Sequence, residues 1–137
     1  MPSIVVDAGP FIALFNRGDR KHALAMAYFE NSTADLVTNI AIITETAHML
    51  DFSRGAVGEF LMWASQSVEI DLGTAGDLQR IAAIVEKYAD LPADFADASL
   101  VALCERLSLE TVATFDHHFD VYRHDNGKPL LNVFAGP

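Results

Sequence analysis

The residues of this chain best placed to do chemistry are acids, set at separated points along the sequence. Asp7 closes the run "SIVVD" and Asp116 closes "TVATFD", two β-branched stretches that read as strands. Glu45 stands in "IAIITETAHML", on a helical stripe with Ile42 and Met49. Asp94 and Asp97 stand in "LPADFADASLVALCERL", on a stripe that continues through Val101 and Cys104. Such stripes should face inward, where a carboxylate is costly unless something offsets its charge. Each acid also has an ordinary structural use. Asp94 falls in or near a first helical turn, where an acid gains about 0.3–1 kcal/mol from the helix dipole. Asp7 suits the cap of the helix that follows it, Asp116 suits the start of a turn, and Glu45 could reach solvent from the edge of its face. Asp97 lies a turn deeper, where capping explains it poorly.

Convergence of these acids would matter more than any one of them. Two carboxylates about 4 Å apart repel by roughly 4 kcal/mol at an effective dielectric near 20. A domain whose whole stability is about 5–15 kcal/mol would not keep several such pairs without protons or cations between them. The donors are oxygens, Cys104 has no CxxC partner, and His22 and His48 show no ligand spacing. Mg2+ or Mn2+ fits that set. His117 and His118 adjoin Asp116, but adjacent residues diverge in direction, so at most one faces a site there and a turn role is expected.

The elements that must position these acids alternate. "SIVVD", "DLVTN", "VEIDL" and "TVATFD" read as strands. "AGPFIALFNRGD", "RKHALAMAYFEN", "IAIITETAHML", "GAVGEFLMWASQS", "AGDLQRIAAIVEKYA" and the acid-bearing segment from residue 91 read as helices. The tail "VYRHDNGKPLLNVF" turns at Asn126-Gly127 and ends in a short edge strand. The expected fold is α/β, a three-layer α/β/α arrangement with a mainly parallel central sheet of four to five strands. Ligands of such sheets bind beyond the carboxyl ends of the strands, where Asp7 and Asp116 stand.

At 137 residues, with 51% apolar and 20% charged side chains, the chain is expected to form a single domain over 1–137. No apolar run approaches a membrane span, the start lacks the features of a signal peptide, and the lone cysteine fits a reducing cytoplasm. The formal charge of −10 argues against nucleic-acid binding, because phosphate neutralisation favours basic proteins. Acids clustered around cations would reverse that local field. Arg17, Arg20, Lys21, Arg123 and Lys128 follow the first and fourth strand ends and could flank the crevice as RNA contacts, although an ordinary solvated surface is the simpler expectation. Phe60, Met62 and Trp63 suit a core or a dimer surface, and Phe15, Tyr28 and Phe29 a groove for a partner helix.

The words "IVVDAGPFIALF", "TETAHML", "DFADASLVALCERL" and "VATFDHHF" give the chain a resemblance to the PIN-domain nucleases, and within them to VapC-like toxins of toxin–antitoxin pairs. The resemblance spans nearly the whole chain in the family's order. It implies a metal-dependent ribonuclease with Asp7, Glu45, Asp97 and Asp116 as the acidic quartet, Asp7 and Asp97 being the direct Mg2+ (or Mn2+) ligands. Thr114 matches a hydroxyl position near such sites, and Asp94 an additional acid. A homodimer and a small antitoxin that blocks the crevice are implied too. One departure is Ala8-Gly9-Pro10 after the first acid, where many relatives carry hydroxyl or amide residues; Gly9 would let backbone approach the ligand. Other readings are a PIN nuclease with a non-toxin role, a receiver-like signalling domain using Asp71 and Lys128, or a non-catalytic acidic binding module. DxD after the first strand, GxGxxG, GxxxxGK[ST] and GxSxG are all missing.

Overall fold

The computed structural model describes residues 2–135. Five short strands form one sheet: β1 (Ser3–Val6), β2 (Asp35–Asn39), β3 (Glu69–Asp71), β4 (Thr111–Ala113) and β5 (Leu131–Asn132). Their order is β3-β2-β1-β4-β5, and every pairing is parallel. The chain builds outward from β1 to β3 on one side, then crosses back to lay β4 against the other side of β1. That reversal opens a crevice beyond the carboxyl ends of β1 and β4. The central strands carry apolar side chains toward both faces, as a doubly covered sheet requires: Val5, Val6, Val37 and Val112 are all buried.

Six α-helices connect the strands: α1 (Ala8–Phe15), α2 (His22–Asn31), α3 (Ile40–Met49), α4 (Arg54–Ser67), α5 (Leu78–Lys87) and α6 (Phe95–Leu107). Helix α1 packs on α2, α3 and α4, while α5 packs on α6. On the first side Phe11 is the centre of an aromatic core, with ring centroids 6.0 Å from Phe29, 5.5 Å from Phe60 and 5.8 Å from Trp63. Phe11 and Phe60 are completely buried, each worth about 1.5–3 kcal/mol. Phe60 and Trp63 are therefore core residues, whereas Met62 is exposed.

One buried link sets the two acid-bearing helices against each other. Asn39 caps α3 by accepting from the Ile42 amide, and its Nδ2 donates to Ser99 Oγ on α6 at 3.0 Å. Helix α3 (with Glu45) and helix α6 (with Asp97) are thus joined at their starts.

Three local expectations need correction. Residues 74–77 form a 3-10 helix rather than the first turn of α5. β4 stops at Ala113, because the Thr114 hydroxyl accepts from the Asp116 amide and turns the chain out of the sheet. Met49 is exposed, so the stripe Ile42–Glu45–Met49 leaves the core after Ile42 and forms a cleft wall. The tail behaves as expected: a turn with Gly127 at φ +82° precedes the edge strand β5, which pairs parallel to β4.

Candidate active site

Asp7 sits where β1 gives way to α1. Its amide donates to the Ala113 carbonyl of β4, fixing it at the crevice. Its Oδ1 caps α1 by accepting from the Ala8 amide at 2.8 Å, and its Oδ2 accepts from Thr114 Oγ1 at 2.7 Å. Only 6% of the residue is exposed. Burial pushes its carboxyl up to about 6, against the lowering effect of both hydrogen bonds, and Asp116 and Asp94 add to the rise.

Thr114 touches two acids at once. Its hydroxyl donates to Asp7 and accepts from the Asp116 amide at 3.0 Å. Asn132 of β5 holds Thr114 in turn, its Oδ1 accepting from the Thr114 amide and its Nδ2 donating to the Thr114 carbonyl. Asp116 then starts a 3-10 helix over His117–Asp120, its Oδ1 accepting from the His118 amide at 2.9 Å.

Asp94 caps α6, accepting from the Asp97 amide at 2.8 Å, so its capping role is real. Asp97 is half-buried and accepts from the Tyr122 hydroxyl at 3.3 Å. Tyr122 is completely buried between Tyr88 and Phe119, both with ring centroids 5.0 Å away. Burial first, then the charges of Asp94, Asp7 and Asp116, pushes the Asp97 carboxyl up to about 7. Glu45 is raised by burial and then by Asp94, Asp7 and Asp116.

All five acids line one cleft of about 300 Å³, closed by Ala8, Gly9, Ile12, Met49 and Phe115. Among the described residues no Lys, Arg or His forms an ion pair with Asp7, Glu45, Asp94 or Asp97; only Asp116 has such a partner, His118 Nδ1 at 3.5 Å. Carboxylates that raise one another's pKa and lack cationic side chains are chemically matched to a hard divalent cation. Gly9 lines the cleft beside Phe115, and a Cβ added to it would lie 3.4 Å from Phe115 Cβ.

The basic residues divide. Lys21 Nζ lies 4.6 Å above the Phe115 ring, in a neighbouring depression that also contains Asp116, His117 and Asn132. Arg17 lines a different depression with Phe52 and Glu59, and Arg20 is exposed on the turn before α2. Arg123 bends back to donate to the Asp120 and Tyr122 carbonyls, and Lys128 is exposed beyond the Asn126-Gly127 turn. Asp71, which a receiver-like reading needs as a pocket acid, instead accepts from the Arg106 guanidinium, which holds its carboxyl below the usual range. Of the two histidines beside Asp116, His118 is the one that turns to the acids. Tyr122 is the residue that periodicity did not bring out, because turn geometry rather than helix or strand spacing aims it at Asp97.

Fold and cleft define a class: a doubly wound parallel α/β protein with an acidic site at the carboxyl ends of its central strands. The family model for the PIN domain matches residues 4–125, and the chain belongs to that family. It is 26% identical over 128 residues to ribonuclease VapC26 of Mycobacterium tuberculosis, covering 90% of this chain and 95% of the relative. Its fold is similar to the crystal structure of VapC20 from the same species, a sarcin–ricin loop cleaving toxin, with a TM-score of 0.78 and 21% identity over 86% of this chain and 93% of the other.

Proposed function

We propose that this chain, as a single nuclease domain, is a Mg2+- or Mn2+-dependent endoribonuclease and the toxin of a toxin–antitoxin pair. The observation that carries the reading is one cleft lined by Asp7, Glu45, Asp94, Asp97 and Asp116, none of which pairs with a Lys or Arg among the described residues. The ribonuclease name of the VapC26 relative supports the choice of RNA. Asp7 and Asp97 would hold the main ion, and Glu45 and Asp116 would hold a second ion or orient its waters. When bound, such an ion would supply charge neutralisation for the phosphodiester and lower the pKa of an attacking water, so that the new P–O bond from water forms as the P–O3′ bond breaks, leaving a 5′-phosphate and a 3′-hydroxyl. Thr114 fixes the Asp7 carboxylate, Tyr122 fixes that of Asp97, and Asp94 keeps the start of α6 in place. Lys21 meets a phosphate beside the cleft. The protein works in the cytoplasm as a homodimer, and its antitoxin blocks the cleft. No helix among the described residues is long and apolar enough to cross a membrane.

The test is cleavage of total RNA with added Mg2+ or Mn2+, with EDTA, and with Asp97→Asn. Cleavage is expected only for the unmodified protein with metal. Activity that survives EDTA or the substitution would defeat the reading.

A further inference from the structure

His118 follows the acidic site without being one of its acids. The 3-10 helix after Asp116 is pinned by the Asp116 carboxylate on the His118 amide, and this folds the imidazole back toward the same carboxylate. A ring nitrogen of His118, a carboxylate oxygen of Asp116 and one of Asp97 all lie within 4.8 Å of one another. Donors on an octahedral ion with bonds of about 2.1 Å stand about 3.0 Å apart when adjacent and about 4.2 Å when opposite. Rotation of the His118 side chain, which is 42% exposed, would draw its nitrogen in toward the two carboxylates. An ordinary ion pair would explain the contact between His118 and Asp116. It would not explain why Asp97, from a different helix, shares the spot. His117 lines the neighbouring depression with Lys21 and is exposed.

Building on the metal-dependent reading above, we propose that His118 supplies a nitrogen donor to the second ion, held by Asp116 with Asp97 shared between the two positions, making that second position selective for Mn2+ over Mg2+. Mg2+ takes oxygen donors and sheds water reluctantly, so an imidazole adds little to its binding. Nitrogen donors favour transition ions over it. The second position of the cleft thus acts as a metal-discriminating element, while the Asp7 side keeps an all-oxygen environment.

The experiment is pulsed electron paramagnetic resonance of the metal-free full chain loaded with MnCl2, alongside calorimetric titrations with MnCl2 and MgCl2. Nitrogen modulation from a directly bound imidazole is expected in the unmodified protein and in His117→Ala, and its loss is expected in His118→Ala. His118→Ala should also weaken Mn2+ binding about tenfold and Mg2+ binding less than twofold. Mn2+ bound without nitrogen coupling, or coupling that persists in His118→Ala, would overturn this proposal and leave the nuclease reading standing. A protein that binds neither ion would overturn both. Thermal melts in EDTA confirm that the variants fold, as expected for a half-exposed side chain.

Discussion

Replacing Asp7 with asparagine keeps the shape of the side chain and removes its charge. In metal-free protein this should raise stability near neutral pH. The carboxyl is pushed from 3.8 to about 6 in the folded state, a difference worth about 3 kcal/mol. The sign follows from which state gives up its proton first. Below pH 3.8 both folded and unfolded chains carry the proton and there is no penalty. As pH rises to about 6 the unfolded chain ionises first, the folded state loses ground, and above pH 6 the full penalty is present. The asparagine carbonyl can still accept from the Ala8 amide, but its NH2 group forces the Thr114 hydroxyl to reorient, which costs about 1 kcal/mol. Net stabilisation of about 2 kcal/mol is therefore expected at pH 8 in EDTA, falling to nothing near pH ~4.5 and reversing to a small loss below it, where only the Thr114 cost remains. Urea unfolding of both proteins from pH 4 to 8 measures it. Saturating Mg2+ or Mn2+ should reverse the order, since an ion at a hundred times its Kd stabilises the unmodified protein by about 2.7 kcal/mol and finds no complete site in the variant. If the variant is the less stable protein at pH 8 without metal, the cost assigned to the buried charge does not exist.

Tyr122→Phe removes the hydroxyl that donates to Asp97 but keeps the packing between Tyr88 and Phe119. Stability should change by no more than about 1 kcal/mol, while kcat for RNA cleavage falls about tenfold with KM unchanged. Gly73→Ala drives a Cβ into the Arg106 guanidinium and displaces it from Asp71 and Asp77. Chemical denaturation should show a loss of about 1 kcal/mol for this partly exposed network, with cleavage retained. Lys21→Ala in an Asp97→Asn background should lower the salt dependence of RNA binding by about one counterion in a fluorescence titration.

Much of this architecture could be read from the residues because the strands repeat one physical rule. "SIVVD" and "DLVTN" are short, β-branched and buried, and β2 spans Asp35–Asn39 as read. The acids were legible for a related reason: strand ends and interrupted helix faces mark carboxylates that have no place in a core. Thr114 and Asp116 show the limit. "TVATFD" looks like six strand residues, and only a side-chain hydrogen bond, which period-two patterning does not encode, ends the strand after three. Tyr122 was hidden for the same reason, and the sequence could not say which of His117 and His118 turns to the acids, since both stand on irregular backbone. The cations were harder still. Arg17, Lys21 and Arg123 look alike in sequence, and loop geometry alone sends Lys21 to Phe115 and turns Arg123 back on its own carbonyls.

The hold of Asn132 on Thr114 has a temporal side. Asp7 is made early and Thr114 late, and the clasp that steadies both belongs to the outermost strand, which is synthesised after either. A chain whose outermost strand has not yet docked therefore carries every acid without the clasp that holds Thr114 against Asp7.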